Sequence, residues 1–201
     1  MSYVTDYCAV VSDFEGDVPY LYLDTDTPPN PTTGVGFLLA SLEDSQRLAW
    51  LMPDGSPASA DQIAADWARV TAMPGSCVCT HYKCATGLTL APETVDAMTQ
   101  VKVQGFDDQL RQLLPGYDGF PDAAKIALLD MAWNLGIGHP AQNGKPAKGL
   151  QEYTHLLASL KATPPDWMAA AAQCERNAHD PAFVRRNAWT AGQFKSAAQA
   201  V

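Results

Sequence analysis

The chain has 201 residues, of which 13 are basic and 22 acidic, so its formal net charge is −9. A negative field of this size disfavours binding to nucleic acid and to anionic membranes. No apolar run approaches the roughly 18 residues that a transmembrane helix needs. Residues 1–16 have neither a basic start nor a continuous apolar stretch, so we expect no secretory signal peptide.

The first segment has the spacing of an amphipathic helix. Val4, Tyr7, Val11 and Phe14 recur at three- and four-residue intervals and form one apolar stripe. Gly16 follows, and glycine readily takes the left-handed conformation that ends helices. We therefore predict a helix over residues 2–15.

The pattern changes to that of strands over residues 19–39. Polar and apolar residues alternate up to Asp24, a proline-rich stretch covers residues 25–31, and β-branched and apolar residues fill 32–39. This arrangement is typical of two short strands joined by a loop.

The remainder of the chain has the periodicity of helices. A Ser-x-x-Gln capping box predicts a helix over 59–71, and a long helix is expected from Pro92 to Leu114. Further helices are predicted over 123–135, 150–160, 165–178 and 181–200, and the first of these is apolar nearly all round. The expected fold is α+β and mostly α.

We expect one domain over residues 1–201, built as two lobes. Residues 15–90 form a small β-hairpin lobe near the N-terminus. A long helix joins it to a C-terminal helical bundle over residues 91–201, which the helix over 2–15 also joins.

Two carboxyl residues and a threonine are candidates for catalysis. Glu15 ends a helix, where the negative end of the helix dipole favours its protonated, acid form. Asp24 follows at the end of a strand, and one acid facing one carboxylate is the usual equipment for glycoside hydrolysis. The Thr32 hydroxyl, near the paired carboxyl groups, could hold the attacking water. The alternatives are a solvated surface residue for Glu15, a turn-opening role for Asp24 and an ordinary β-branched strand residue for Thr32.

These motifs resemble the active-site region of the tailed-phage lysozyme family. The family shows Glu-Gly, a strand ending in Tyr-x-Asp, and then Thr-x-Gly-x-Gly, usually followed by His-Leu. The corresponding residues here are Glu15-Gly16, Tyr22-Leu23-Asp24 and Thr32-Thr33-Gly34-Val35-Gly36, with Phe37 at the usual histidine position. Residues 127–136 and 184–187 are also similar to later family segments, so the likeness covers most of the chain in order and rough spacing.

The resemblance implies a lysozyme-like fold and a muramidase, a glycosidase that cuts peptidoglycan between N-acetylmuramic acid and N-acetylglucosamine. It implies catalytic roles for Glu15, Asp24 and Thr32, and substrate contacts at Asn134, Phe37 and Tyr22. The alternative for Asn134 is a residue that ends its helix together with Gly136. It also implies inversion at the anomeric carbon and no organic cofactor. A hydrolase that degrades the cell wall in this way would be bacteriolytic, because bacteria lyse when their wall is cut.

A cluster of cysteines over residues 77–84 leaves three alternatives open. Cys77, Cys79, His81 and Cys84 have the side chains of a tetrahedral zinc site, although their spacing is cramped. A local disulfide with Cys84 is the second alternative, and free thiols are the third.

Two settings share this chemistry: a phage endolysin and the lysozyme domain of a secreted antimicrobial effector. In both, the protein is made in the cytoplasm and acts in the periplasm or on the cell wall after export or lysis. Its partners would be peptidoglycan glycan strands and, for an effector, an immunity or inhibitor protein. The alternative class is a non-catalytic peptidoglycan-binding or structural module on a lysozyme scaffold.

Overall fold

A computed structural model of the chain describes residues 2–142, 144–177 and 181–200, apart from the side chain of Ala182. These residues form eight α-helices and five short β-strands, and every strand lies before residue 91. The prediction of a mostly helical α+β fold is confirmed. The chain divides into two compact units, Val11–Thr99 and Met1–Val10 with Gln100–Val201. No helix in the described part of the chain has both the length and the apolar character that crossing a membrane requires.

Helix α1 (Tyr3–Glu15) ends as the sequence predicts. The amide of Gly16 donates to the carbonyl of Ser12 at 3.0 Å. Gly16 has a φ of 76°, a left-handed conformation that glycine takes without steric cost. The turn at Gly16 fixes the point at which the chain leaves the helix, directly after Glu15.

The unit Val11–Thr99 contains an antiparallel sheet in the order β1-β2-β3, formed by β1 (Val18–Leu23), β2 (Pro31–Gly34) and β3 (Phe37–Leu38). The prediction of one continuous strand over 32–39 is wrong. Gly34 and Gly36 have φ values of 58° and 68°, so the chain turns back between them and the segment forms a hairpin.

The same unit holds α2 (Leu42–Gln46), α3 (Ala60–Thr71) and a second antiparallel pair, β4 (Trp50–Leu51) with β5 (Thr89–Leu90). The predicted capping box is confirmed, because Ser59 and Gln62 bond reciprocally at the start of α3. Strand β1 packs against α3, β5 and the short 3-10 helix Cys79–Tyr82. The core of this unit includes Leu21, Leu23, Val35, Trp50, Ile63, Val70, Tyr82 and Leu90.

Helix α4 (Pro92–Leu113) starts at the predicted proline. The other unit contains α5 (Asp122–Leu135), α6 (Thr154–Lys161), α7 (Trp167–Gln173) and α8 (Pro181–Gln199). Helix α5 packs on α8, α8 on α7, and α7 on α6. The prediction of an enclosed α5 is confirmed by its run of buried residues. Helix α7 is shorter than the predicted 165–178, and Ala178 lies outside the described residues.

The loop after α5 closes tightly on itself. The amide of Leu150 donates to the carbonyl of Gly136 at 3.0 Å, and a Cβ on Gly138 would stand 1.8 Å from the carbonyl oxygen of Lys148. Gly138 also has a φ of 69°. Only glycine fits this crossing, which holds the C-terminal end of α5 in place.

Candidate active site

The predicted acid, Glu15, is the last residue of α1 and is exposed. It belongs to the unit Val11–Thr99, as do Tyr22, Asp24 and Thr32. The turn at Gly16 sends the chain directly from Glu15 into β1, which ends immediately before Asp24. A single helix–turn–strand segment therefore carries both candidate carboxyl groups.

The carboxylate of Asp24 closes the loop between β1 and β2. Its Oδ1 accepts the amide of Asn30 at 2.7 Å and that of Asp26 at 3.1 Å, and its Oδ2 accepts the side-chain amide of Asn30 at 3.1 Å. The turn-opening role, which was the alternative for Asp24, is thus present in the structure. A carboxylate has about four lone-pair sites, so Oδ2 keeps one site for a further donor.

Thr32 lies on the neighbouring strand, beside Asp24. Its residue is 4% exposed, and its hydroxyl donates to the carbonyl of Asn30 at 3.0 Å. Thr32 pairs with Tyr22 across the sheet, and directly opposed residues of antiparallel strands project from the same face. Since its only hydroxyl hydrogen is already donated, Thr32 can offer a ligand only its oxygen lone pairs.

Asn30 connects the two predicted residues, which the sequence alone did not reveal. It donates twice to Asp24, and its carbonyl accepts both the amide of Asp24 at 3.0 Å and the hydroxyl of Thr32. The sequence signals were an asparagine at the end of a proline-rich loop, a common residue for closing turns, and the family spacing, which falls near Asn30 when it is counted forward from Asp24.

The pKa of Tyr22 is affected by both candidate carboxyl groups. The pKa of its phenol is raised to about 12, mainly by burial and then, in decreasing order, by the negative charges of Cys79, Asp24 and Glu15. Charge–charge effects fall with distance, so the Tyr22 phenol lies near both Asp24 and Glu15. The half-buried Tyr22 side chain thus lies near the residues that the sequence predicts to be catalytic.

Phe37 is placed differently. It pairs with Thr33, whereas Leu38 pairs with Thr32. Adjacent strand residues point to opposite faces, so Phe37 projects from the face opposite Tyr22 and Thr32. Leu38, which is 59% exposed, occupies their face instead, and no sequence pattern predicted this position for it.

Asn134, the remaining predicted contact, belongs to the other unit and lies in the last turn of α5. It is half-exposed. Its side-chain oxygen accepts from Nη1 of Arg176 at 3.0 Å. Asn134 thus shares no compact unit with Glu15, Asp24 or Thr32.

The cysteine segment does not form the zinc site considered from the sequence. Among the described residues, no three His, Cys, Asp or Glu side chains are grouped to hold a metal ion. The Cys77 thiol donates to the carbonyl of Gly75 at 3.6 Å, and the pKa of Cys84 is lowered mainly by hydrogen bonding with Thr86. In the described residues the Cys77 and Cys84 thiols thus engage different partners and do not converge on one position.

Cys77, Cys79 and Cys84 are free thiols, so the local disulfide is not formed in this structure. Cys79 lies instead beside Tyr20 on the β1 face. Burial and the neighbouring Cys79 thiol raise the pKa of Tyr20. The ammonium nitrogen of Lys83 is 5.9 Å from the Tyr20 ring centroid, within cation–π range. The cysteine segment thus borders the face that carries Tyr22 and Asp24.

Neither a scan against protein-family models nor a search of curated proteins finds a significant match to this chain. Its function is therefore inferred from its own residues and geometry.

Proposed function

We propose that this chain is a peptidoglycan hydrolase, an N-acetylmuramidase with a lysozyme-like fold. Glu15 is the general acid, and Asp24 and Thr32 act on the attacking water. The substrate is the bond between N-acetylmuramic acid and N-acetylglucosamine in the bacterial cell wall, met in the periplasm or on the wall itself. The proposal covers both settings, endolysin and secreted effector, and in the second an inhibitor protein would bind the same face.

The observation that supports the proposal most is the position of the Tyr22 phenol. Its pKa is raised by the charges of both Asp24 and Glu15, and Tyr22 stands opposite Thr32 in the sheet. Tyr22 thus connects the two candidate carboxyl groups, whose charges it senses, with Thr32, its partner in the sheet. Glycoside hydrolysis needs a pair of carboxyl groups of this kind.

The hydrogen-bond directions suit direct attack by water. Thr32 and Oδ2 of Asp24 both offer lone pairs, so a water held between them donates its two hydrogens and keeps its own lone pair for the sugar. Glu15 gives its proton to the glycosidic oxygen as the bond to the anomeric carbon breaks. The water oxygen bonds to that carbon, and its released proton passes to Asp24. Such proton transfers contribute about 10²- to 10⁴-fold in rate each.

One observation favours the second candidate, a peptidoglycan-binding module without catalysis. All of the hydrogen bonds that Asp24 accepts come from its own loop, from Asp26 and Asn30. That pattern is sufficient to explain the aspartate as a structural residue. On this alternative, Glu15 has no chemical role.

A turbidity assay on purified peptidoglycan separates the two candidates. We expect the parent to clear the suspension and Glu15→Gln to be slower by roughly a hundredfold or more, because glutamine has no proton to give. Glu93→Gln is the matched control, since Glu93 is an exposed glutamate in the same unit. It should clear at the parent's rate.

Equal clearance by the parent and Glu15→Gln would remove Glu15 from the mechanism. No clearance by the parent, together with sedimentation on peptidoglycan, would favour the binding module. Thr32→Ala tests the water site separately, and we expect it to lose activity while its far-UV circular dichroism stays unchanged.

A further inference from the structure

The ammonium group of Lys83 lies over the outer face of β1. Its nitrogen is 5.9 Å from the centroid of the Tyr20 ring. Tyr20 and Tyr22 are half-buried, whereas the leucine after each of them is buried, so the two tyrosines share one face of the strand. Burial and then the charge of Cys79 raise the pKa of both phenols, which places the Cys79 thiol beside each. Lys83 therefore lies beside the face that carries the candidate carboxyl groups.

The backbone that carries Lys83 is held in place by buried groups. Tyr82 is fully buried, and its phenol donates to the carbonyl of Pro74 at 2.7 Å. Nη1 of Arg69 donates to the carbonyl of Tyr82 at 3.0 Å. Lys83 follows directly and ends the 3-10 helix Cys79–Tyr82, which packs on β1. The point from which the exposed Lys83 side chain reaches over Tyr20 is therefore fixed.

Lys83 is the one basic residue of this unit without a carboxylate partner among the described residues. Residues 11–99 contain three basic residues and twelve acidic ones. Arg47 pairs with Glu43 at 2.6 Å, and Arg69 pairs with a carboxylate of its own helix at 2.7 Å. The positive charge of Lys83 is therefore available to a ligand, in a unit whose other charges are mostly negative.

We propose that Lys83 is a specificity residue that binds a carboxylate of the substrate beside the candidate catalytic face. The inference rests on the proposed function and names a substrate group that the function requires. N-acetylmuramic acid carries a carboxyl group on its lactyl ether, which is either free or extended by a stem peptide with carboxylates of its own. N-acetylglucosamine is neutral. A cation beside Tyr20 therefore distinguishes strands that contain muramic acid from neutral glycans such as chitin.

Lys83 also reduces a repulsion that the proposed function implies. The chain has a formal net charge of −9, which repels an anionic wall polymer at long range. The potential at a binding face can differ from that of the whole protein, and Lys83 supplies such a difference at β1. Its effect is local, because counterions screen exposed charges over about 10 Å at about 0.1 M salt.

The test removes this charge and compares ligands with and without carboxylates. Binding is measured in the Glu15→Gln background, so that the ligands stay intact. The ligands are the neutral N-acetylglucosamine tetramer, glycan strands stripped of peptides by an amidase, which keep the lactyl carboxylate, and strands that retain their stem peptides. Whichever strands depend on Lys83 identify the source of the carboxylate.

Lys83→Gln should raise the dissociation constant for carboxylate-bearing strands about fivefold at about 0.01 M salt, which is the upper range for one exposed ion pair. At about 1 M salt the difference should disappear, since the screening length falls to about 3 Å. Binding of the neutral tetramer should not change. Lys83→Arg keeps the charge and should keep the affinity.

Arg47→Gln is the matched control, because it removes the same charge from the same unit at a residue that already pairs with two carboxylates. It should bind all three ligands as tightly as its background does. Equal losses in Lys83→Gln and Arg47→Gln would overturn the inference, because net charge alone would then explain them. A loss by Lys83→Gln that includes the neutral tetramer would overturn it too.

The two hypotheses fail in different ways. A parent that clears peptidoglycan, with Lys83→Gln binding every ligand as tightly as its background, would overturn this inference alone. A parent that neither clears peptidoglycan nor binds any of the three ligands would overturn the proposed function, and this inference with it.

Discussion

Replacing Asp130 with asparagine removes the carboxylate from a buried ionic cluster, which Asp130 forms with Arg176 and Arg186. Asp130 is fully buried, and its carboxylate lies 2.7 Å and 2.8 Å from nitrogens of the two guanidinium groups. Asparagine has nearly the same shape, so the change leaves no cavity. It leaves two enclosed cations without their counterion, and one amide N–H would point at a guanidinium.

Removing one partner of a buried ion pair costs about 3–5 kcal/mol. A domain of ordinary stability has about 5–15 kcal/mol in total, so Asp130→Asn should lose a large part of its free energy of unfolding. With a urea m value of about 2 kcal/mol per molar, the unfolding midpoint should fall by roughly 1.5–2.5 M. Tryptophan fluorescence in a urea titration measures both quantities.

Asp122→Asn is the matched control on the same helix. The Asp122 side chain is 71% exposed, and the ammonium nitrogen of Lys125 is 3.8 Å away. Because the Asp122 carboxylate is largely in solvent, although Lys125 is buried, the pair contributes at most about 1 kcal/mol, so the control's midpoint should move little. If Asp130→Asn shifted the midpoint no more than Asp122→Asn does, the buried cluster would not stabilise this unit in the way described.

Three further results are expected. Gly138→Ala should lower the free energy of unfolding by about 2 kcal/mol or more, because its Cβ would meet a backbone carbonyl at 1.8 Å. As the control, Gly105→Ala in α4 should raise the free energy of unfolding by about 0.5–1 kcal/mol, because an added Cβ there has nothing within 4 Å. Equal changes in the two variants would refute the loop geometry at Gly138. Glu15→Gln should lower the pKa of Tyr22 from about 12, since removing a nearby negative charge eases phenol ionisation, and an NMR titration of labelled tyrosine would detect an unchanged value. Because the Tyr22 pKa is raised in the folded state, Tyr22 stabilises the fold below pH 10, and this contribution is lost as the pH rises towards 12. Between pH 10 and 12, the free energy of unfolding should therefore fall less for Tyr22→Phe than for the parent.

Local signals predicted much of the fold. The apolar stripe before Gly16, the capping box at Ser59, and Pro92 at a helix start are each decided by neighbours a few residues apart. The pairing of β4 with β5 could not be predicted, because strands of two residues carry no periodicity and Trp50 pairs with Leu90 far along the chain.

The site was predictable to the extent that it is local. Glu15, Asp24 and Thr32 lie within one helix–turn–hairpin segment, where spacing limits how far apart they can be. The hydrogen bond from Arg176 to Asn134 joins residues that are 42 positions apart, and no sequence pattern near either residue predicts it. The two carbonyl bonds at Asn30 depend on strand register, which only the folded sheet defines.

Mass spectrometry of the fragments released from purified peptidoglycan tests the muramidase assignment most directly. After borohydride reduction, the parent should yield muropeptides that end in reduced N-acetylmuramic acid, and Glu15→Gln should yield almost none. Anhydro ends, free peptides, or equal yields from the two proteins would contradict hydrolysis by Glu15.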